Sequence, residues 1–281
     1  MKKAEGGKRI AFVVLFISAL FFLIPIVWVF LSAFKSDQEL LRAGGFLMFP
    51  KTWTLENFAE VLSPSNKKTP IYLWMVNSFL VASVYSFLSV TIVSMSAYAY
   101  AKLKFKGRDI IFLSILFISS FPSIVTIVPL YKIMHVFGWI NSPLSLIFPG
   151  LANVFNIFLT RQFMIGIPDS LLESCRIDGA GDLTIFTRII FPLSAQILVI
   201  IGLFSFFAVW NDFLWPSIAI NDIDKLTLTA GLKLTIGTYG RNFVSMLSAI
   251  AVVAVVPMIA VYCFAEKWFV KGISLSSGIK G

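Results

Sequence analysis

Ile167-Pro168-Asp169-Ser170-Leu171-Leu172-Glu173-Ser174-Cys175-Arg176-Ile177-Asp178-Gly179-Ala180-Gly181 is the stretch on which the reading of this chain turns. It is a polar island between long apolar runs. A solvated loop joining two membrane helices is the plainest reading, but it leaves the internal order of the island unexplained. Pro168 precedes a capping-box pattern: Ser170 is placed to cap a first turn, and Glu173 three residues later to return to the cap's own N–H. Leu171 and Leu172 give the short helix an apolar face. Gly179-Ala180-Gly181 breaks it, and Asp182 is placed to cap a second helix running into Phe191-Pro192. Two caps, a small-residue patch and a defined break predict a segment shaped to be gripped by another protein.

The flanks identify the solvent. The chain is 58% hydrophobic and 13% charged, with 29 Phe in 281 residues; soluble globules carry nearer a quarter charged residues. A bilayer span needs about 20 apolar residues. Six uncharged runs reach that length: residues 10–34, 69–101, 110–131, 133–160, 189–211 and 242–265. Gly138, Asn141 and Pro143 mark a turn between the third and fourth. The expected fold is all-α: one polytopic membrane domain over residues 1–281 with six transmembrane helices. The first run follows Lys2, Lys3, Lys8 and Arg9, but its apolar core is too long for a signal peptide and no small-residue cleavage site closes it, so it is expected to be retained.

A net charge of +9 raises the question of nucleic acid, and its distribution answers otherwise. Basic residues gather at Lys2–Arg9, at Lys102, Lys104, Lys106 and Arg108, and at Lys267, Lys271 and Lys280. With six spans these fall on one side, whereas the turn at residues 135–142 falls opposite and has no Lys or Arg. That is the positive-inside pattern, with both termini cytoplasmic. Residues 1–9 then form a cytoplasmic tail, 167–188 a cytoplasmic loop, and 213–241 an outer loop. Trp28, Trp74, Tyr98, Tyr131, Trp215, Tyr262 and Trp268 lie near run ends and are expected as interfacial anchors. Cys175 and Cys263 fall at or near the cytoplasmic side, where no disulfide is expected.

Several kinds of chemistry lack their residues. No G-x-x-x-x-G-K-[ST] loop is present to cradle ATP phosphates. No G-x-S-x-G is present, and the one histidine, His135, reads as an interfacial hydrogen-bonding residue rather than a catalyst. No metal-ligand spacing occurs, and no cofactor is expected. Asp212 is the one acid that interrupts an apolar run near its end, and an ionisable group at membrane depth usually faces a protein interior or a water path. With Trp210 and Asn211 it offers the acceptors and aromatic face that suit a carbohydrate. It reads equally as a helix-break cap before Pro216, and a proton-coupled secondary transporter would use it as a relay. Against that last alternative, neither paired intramembrane charges nor an inverted repeat is found. Ser78, Ser83, Ser86, Ser89, Ser94, Ser96 and Ala97 in the second run suit close helix packing, within the chain or against a second membrane subunit.

Glu173-Ser174-Cys175, Gly179, Ile189 and Pro192 reproduce the spacing of the cytoplasmic "EAA" coupling loop, and the chain resembles the membrane subunits of bacterial ABC importers. Arg176-Ile177-Asp178-Gly179-Ala180 resembles the carbohydrate branch, the maltose-type permeases, as do Asn77-Ser78, Ala97-Tyr98-Ala99, Arg161-Gln162-Phe163, residues 210–216 and Lys280-Gly281. Ser174-Cys175 stand where the family usually has Ala-Ala, Gln196 where a second proline is common, and Gly181 in place of a serine. The resemblance implies a permease of the bacterial inner membrane that is not itself an enzyme. A coupling helix would lie between spans four and five. Its implied partners are a second permease subunit, two cytoplasmic ATP-binding subunits and an extracytoplasmic sugar-binding protein, with no nucleic acid. Glu173, Ser174, Cys175, Asp178, Gly179 and Ala180 would meet the ATPase. Trp210, Asn211 and Asp212 would line the substrate path or gate. Thr227, Gly231 and Gly237, in the stretch 221–242, would meet the binding protein.

Overall fold

A computed structural model describes the backbone of residues 2–42, 47–63, 69–239 and 243–278, and the side chains of these except 2–10, 41–42, 236–239, 265 and 267–278. The side chains of the N-terminal basic cluster, of Lys267 and Lys271, and the position of Lys280 therefore lie outside the described residues, as does the environment of Gly237. The described residues form helices and turns, without a strand among them.

The long helices are α1 (Lys2–Ser32), α4 (Ile71–Lys102) and α15 (Val244–Gly278), with the short α2 (Asp37–Arg42) and α3 (Glu56–Val61) between the first two. Between α4 and α15 come α5 (Arg108–Ser119), α6 (Ile127–Val136), α7 (Leu144–Ile147), α8 (Val154–Ile165), α9 (Asp169–Ile177), α10 (Asp182–Ile185), α11 (Phe191–Leu193), α12 (Ala195–Asn211), α13 (Leu214–Ala219) and α14 (Leu228–Tyr239). A π-helical turn, Phe186–Ile190, joins α10 to α11.

Ala11–Ser32, Ile71–Lys102 and Val244–Phe264 are each long and apolar enough to cross a bilayer. Two further candidates are bent. Arg108–Ser119 meets Ser123–Val136 at 91°, and Asp182–Leu193 meets Ala195–Asn211 at 79°. The first bend breaks the run at 110–131 that was expected as one helix. Its cause is local: the Ser119 and Ser120 hydroxyls both donate to the Leu116 carbonyl, and Pro122 has no N–H to continue the ladder. The run at 133–160 is likewise discontinuous. α6 ends in a Schellman turn, with Gly138 at φ +68° and the Trp139 N–H returning to the Met134 carbonyl. α8 then holds 12 residues, about 18 Å of helix.

The chain divides into two compact units, residues 1–72 with 232–257, and residues 73–231 with 258–281. In the first, Lys35 is fully buried and its ammonium donates to the Ser32 hydroxyl and to the Leu47 and Met48 carbonyls. Asn57 donates to the Ala33 and Lys35 carbonyls, and Asp37 accepts from the backbone and hydroxyl of Ser245. In contrast, α1 is exposed from Ala11 to Val27 among the described residues, as a helix facing lipid or a partner would be.

The second unit is organised on α4. Ser86 donates to the Gly202 carbonyl on α12, Ser89 to the Leu151 carbonyl, and Tyr85 to the Gly150 carbonyl. Asn156 on α8, Ser205 on α12 and Ser89 form a buried chain of hydrogen bonds. Ser86 and Ser89 thus serve packing within this chain. The helix spans 32 residues, about 48 Å, and each end carries a different structure.

Candidate functional site

At the C-terminal end of α4, Ala97 and Tyr98 form a buried cluster with Met164, Ile167, Leu172, Ile185, Phe186 and Ile190. Leu172 is the one buried residue of α9, so a single leucine keys this short helix onto the long one. Lys102 fastens the same junction. Its side chain is 3% exposed, and its ammonium donates to the Ile167 carbonyl and, at 2.6 Å, to Asp169. This hydrogen bond and charge hold the Asp169 carboxyl below the usual carboxylate range.

The Asp169 contact corrects the expected capping box. α9 starts at Asp169 after an extended Pro168, and Ser170 makes no capping bond. Ser170 instead lies inside the first turn, where its carbonyl accepts from the Ser174 hydroxyl. Nor does Asp182 cap α10: it opens that helix, and its carboxylate takes Arg176 at 3.1 Å across the turn. The glycine break is as expected. Gly179 sits at φ +82°, the Ala180 N–H returns to the Cys175 carbonyl, and the Gly179 N–H to the Arg176 carbonyl. These are the paired bonds of a Schellman motif.

The six residues assigned to ATPase coupling divide by exposure. Glu173, Ser174, Asp178 and Gly179 are exposed. Cys175 and Ala180 are partly buried against the cluster under α9, which explains why small side chains stand there. Sequence reasoning passed over the apolar part of the open face, where Ile177 is 86% and Leu183 71% exposed.

The N-terminal end of α4 grips the stretch after α13. The Trp74 indole donates to the Ile223 carbonyl at 2.6 Å, Asn77 donates to the Asp224 and Leu226 carbonyls, and the Ser78 hydroxyl accepts from the Leu228 N–H. Asn141, held at φ +61°, accepts from the N–H groups of Asn221 and Asp222. The expected outer loop at 213–241 is therefore largely ordered into α13, a 3₁₀ turn at Ile223–Lys225 and α14. Thr227 and Gly231 are buried within the fold, so the direct contact with a partner expected of them is not available in this conformation. Trp74 is also fully buried and Tyr98 nearly so, which removes both from the expected interfacial anchors. Leu172, Lys102, Trp74, Asn77 and Asn141 were read only as an apolar face, a basic cluster, an anchor, a family-like string and a turn marker, because the partners that make them site residues lie far away in sequence.

Trp210, Asn211 and Asp212 face three ways. Trp210 is buried and stacked on Phe206, ring centres 5.7 Å apart. Asn211 is exposed and donates to the Phe207 carbonyl. One Asp212 oxygen accepts from the N–H groups of Leu214 and Trp215, and the Asp212 carbonyl accepts from Thr229. The carboxylate thus fastens the start of α13, the arrangement of an Asx turn.

Residues 91–275 match the family described as binding-protein-dependent transport system inner membrane component. The chain belongs to that family. It is 32% identical to the arabinooligosaccharides transport system permease of Halalkalibacterium halodurans, covering 98% of this chain and 95% of the relative. It is 31% identical to the trehalose/maltose transport system permease of Thermococcus litoralis, covering 99% of each. A chain from the crystal structure of a bacterial ABC transporter that imports the acidic polysaccharide alginate superposes with a TM-score of 0.84 at 25% identity, over 96% of this chain and 98% of that one. As a binding-protein-dependent inner membrane component, the chain is a multi-pass membrane transport subunit, and its relatives are permeases rather than enzymes.

Proposed function

We propose that this permease is one of two transmembrane subunits of an ATP-driven importer that receives a sugar or oligosaccharide from an extracytoplasmic binding protein. Its relatives over nearly the full chain are named for arabinooligosaccharides and for trehalose/maltose, which supports a glycan substrate. The observation that carries the mechanism is α4: one helix bears the docked α9 at one end and grips the stretch after α13 at the other. A push on α9 is therefore delivered to a continuous strut rather than to a loop. Two cytoplasmic ATP-binding subunits take the open face of α9, through Glu173, Ser174, Asp178 and the Gly179 turn, with Ile177 and Leu183 as the apolar part of the contact. ATP hydrolysis happens on those subunits. Their closure tilts the permease pair between inward-facing and outward-facing states, a rigid-body alternation.

In this reading six crossings place α9 and both termini on the cytoplasmic side, as the basic-residue pattern suggests. Trp210, Asn211 and Asp212 lie at the outer end of α12; Asn211 is the candidate for substrate contact, and Asp212 fixes the gate by holding α13. The binding protein meets the segment 221–242 through its exposed residues, while Thr227 and Gly231 hold that segment in place. A proton-relay use of Asp212 is less well supported, because its carboxylate is engaged by two backbone N–H groups. The test is uptake of labelled oligosaccharide by the full complex in proteoliposomes. Uptake that needs ATP and the binding protein supports the reading, and uptake by this chain alone under a proton gradient rejects it.

A further inference from the structure

The turn between α4 and α5 carries a feature that the transport reading leaves unused. Gly107, at φ +81°, turns the chain beside an open pocket of about 670 Å³ lined by Lys104, Phe105, Lys106, Arg108, Asp109 and Ile110. The neighbouring cations are engaged. Lys102 bonds Ile167 and Asp169. Arg108 bonds the Leu103 carbonyl and Asp109. Arg161 donates to the Tyr100 carbonyl, lies 3.6 Å from Asp109, and sits 4.3 Å from the Phe112 ring centre. Lys104 and Lys106 are exposed and make no hydrogen bond or ion pair among the described residues; Lys104 acts on Asp169 through space alone.

The pocket also has an apolar rim. Phe105 is 43% exposed and Ile110 73%. Further along α5, Leu113 and Phe117 are 63% and 69% exposed, an apolar flank of the kind that suits acyl chains. The lysines therefore stand where α4 leaves the apolar layer and α5 enters it. A soluble acidic partner would satisfy the lysines and leave Phe105 and Ile110 in water. A lipid satisfies both halves, with phosphate at the ammonium groups and acyl chain along the rim.

We propose that this pocket binds the headgroup phosphate of an anionic phospholipid, with Lys104 and Lys106 as its donors and Phe105 and Ile110 against the chains. The probe is the purified full-length chain in mixed micelles, titrated with dioleoyl phosphatidylglycerol or dioleoyl phosphatidylcholine, with retained lipid read by native mass spectrometry. Phosphatidylglycerol should be retained over phosphatidylcholine, by a margin that shrinks as salt rises. Lys104→Gln with Lys106→Gln should reduce that preference roughly tenfold or more, while Lys104→Arg with Lys106→Arg keeps it. Lys51→Gln with Lys132→Gln makes the same change in net charge at exposed sites elsewhere and should leave it intact. Absence of a preference in the unmodified chain overturns the proposal. So does an equal loss in the Lys51/Lys132 control, or displacement of the lipid by inorganic phosphate at matched ionic strength. If the glutamine pair keeps the lipid preference but loses binding of the ATP-binding subunits, the pocket is a protein interface and the proposal fails.

Discussion

At Gly231 there is no room for a methyl group: an added Cβ would lie 2.3 Å from the Trp74 ring. Trp74 is fully buried and bonded to Ile223, so Gly231→Ala must displace it and release the segment that α4 holds. Overpacking of this kind costs about 1–3 kcal/mol; we expect a lower unfolding midpoint of the purified chain and weaker stimulation of ATP hydrolysis by the binding protein. At Asp212 two roles separate cleanly. If the carboxylate fastens α13, Asp212→Asn retains an acceptor for Leu214 and Trp215 and is tolerated better than Asp212→Leu. A proton relay makes both equally severe, and transport rates of the two variants across pH, with surface expression checked, decide. The Asp169–Lys102 pair gives a signed pH dependence. Because Lys102 lowers the folded-state pKa of Asp169, the stabilisation is complete above the unfolded value of about 3.9 and is lost as pH falls through the lower folded value. Hydrogen exchange in α9, corrected for its intrinsic rate, should be level from pH 8 to 5 and rise below about pH 4. Asp169→Asn should already show the faster exchange at pH 7.

At the scale of the element, α9 is a helix held by one leucine, one ion pair and one glycine turn. Leu172→Ala removes the buried key and should cost its docking about 2–5 kcal/mol, seen as increased exchange in α9 with α4 still protected. Gly179→Asp puts a charged side chain where φ is +82°, a conformation that glycine adopts freely and most residues resist. The variant should insert normally and lose contact with the ATP-binding subunits; unchanged sugar-stimulated ATP hydrolysis in the purified complex would contradict this. The Gly179 break was legible because glycine ends helices for a local steric reason. The start of α9 was not. Ser170 and Glu173 satisfy a capping pattern, but Lys102, 67 residues away, draws Asp169 into the first turn. The same limit applies at the outer end. Trp74 reads as an interfacial tryptophan until Gly231 makes space for it, and an ordered stretch reads as a loop until Asn77 and Asn141 supply its hydrogen-bond partners. Apolar runs report that a segment lies in lipid; they do not report the 91° bend that Ser119, Ser120 and Pro122 introduce.

For the whole molecule, the proposed mechanism requires that work done at α9 appear at the outer end of α4, and that the source of this work be ATP on another subunit. Composition made the membrane setting legible, and the polar island is what motivates the proposal of a protein partner at α9. The strut joining α9 to the segment after α13 emerges only in three dimensions, since both of its grips are hydrogen bonds between distant residues. The most direct measurement is oligosaccharide uptake into proteoliposomes containing this chain, its partner permease and the ATP-binding subunits, with the binding protein and sugar outside and ATP inside. Uptake should require ATP and the binding protein, resist collapse of the proton gradient, and fall together with stimulated ATP hydrolysis when Lys102→Met undocks α9. Uptake that persists without ATP, follows proton entry and is lost equally in Asp212→Asn and Asp212→Leu would contradict it.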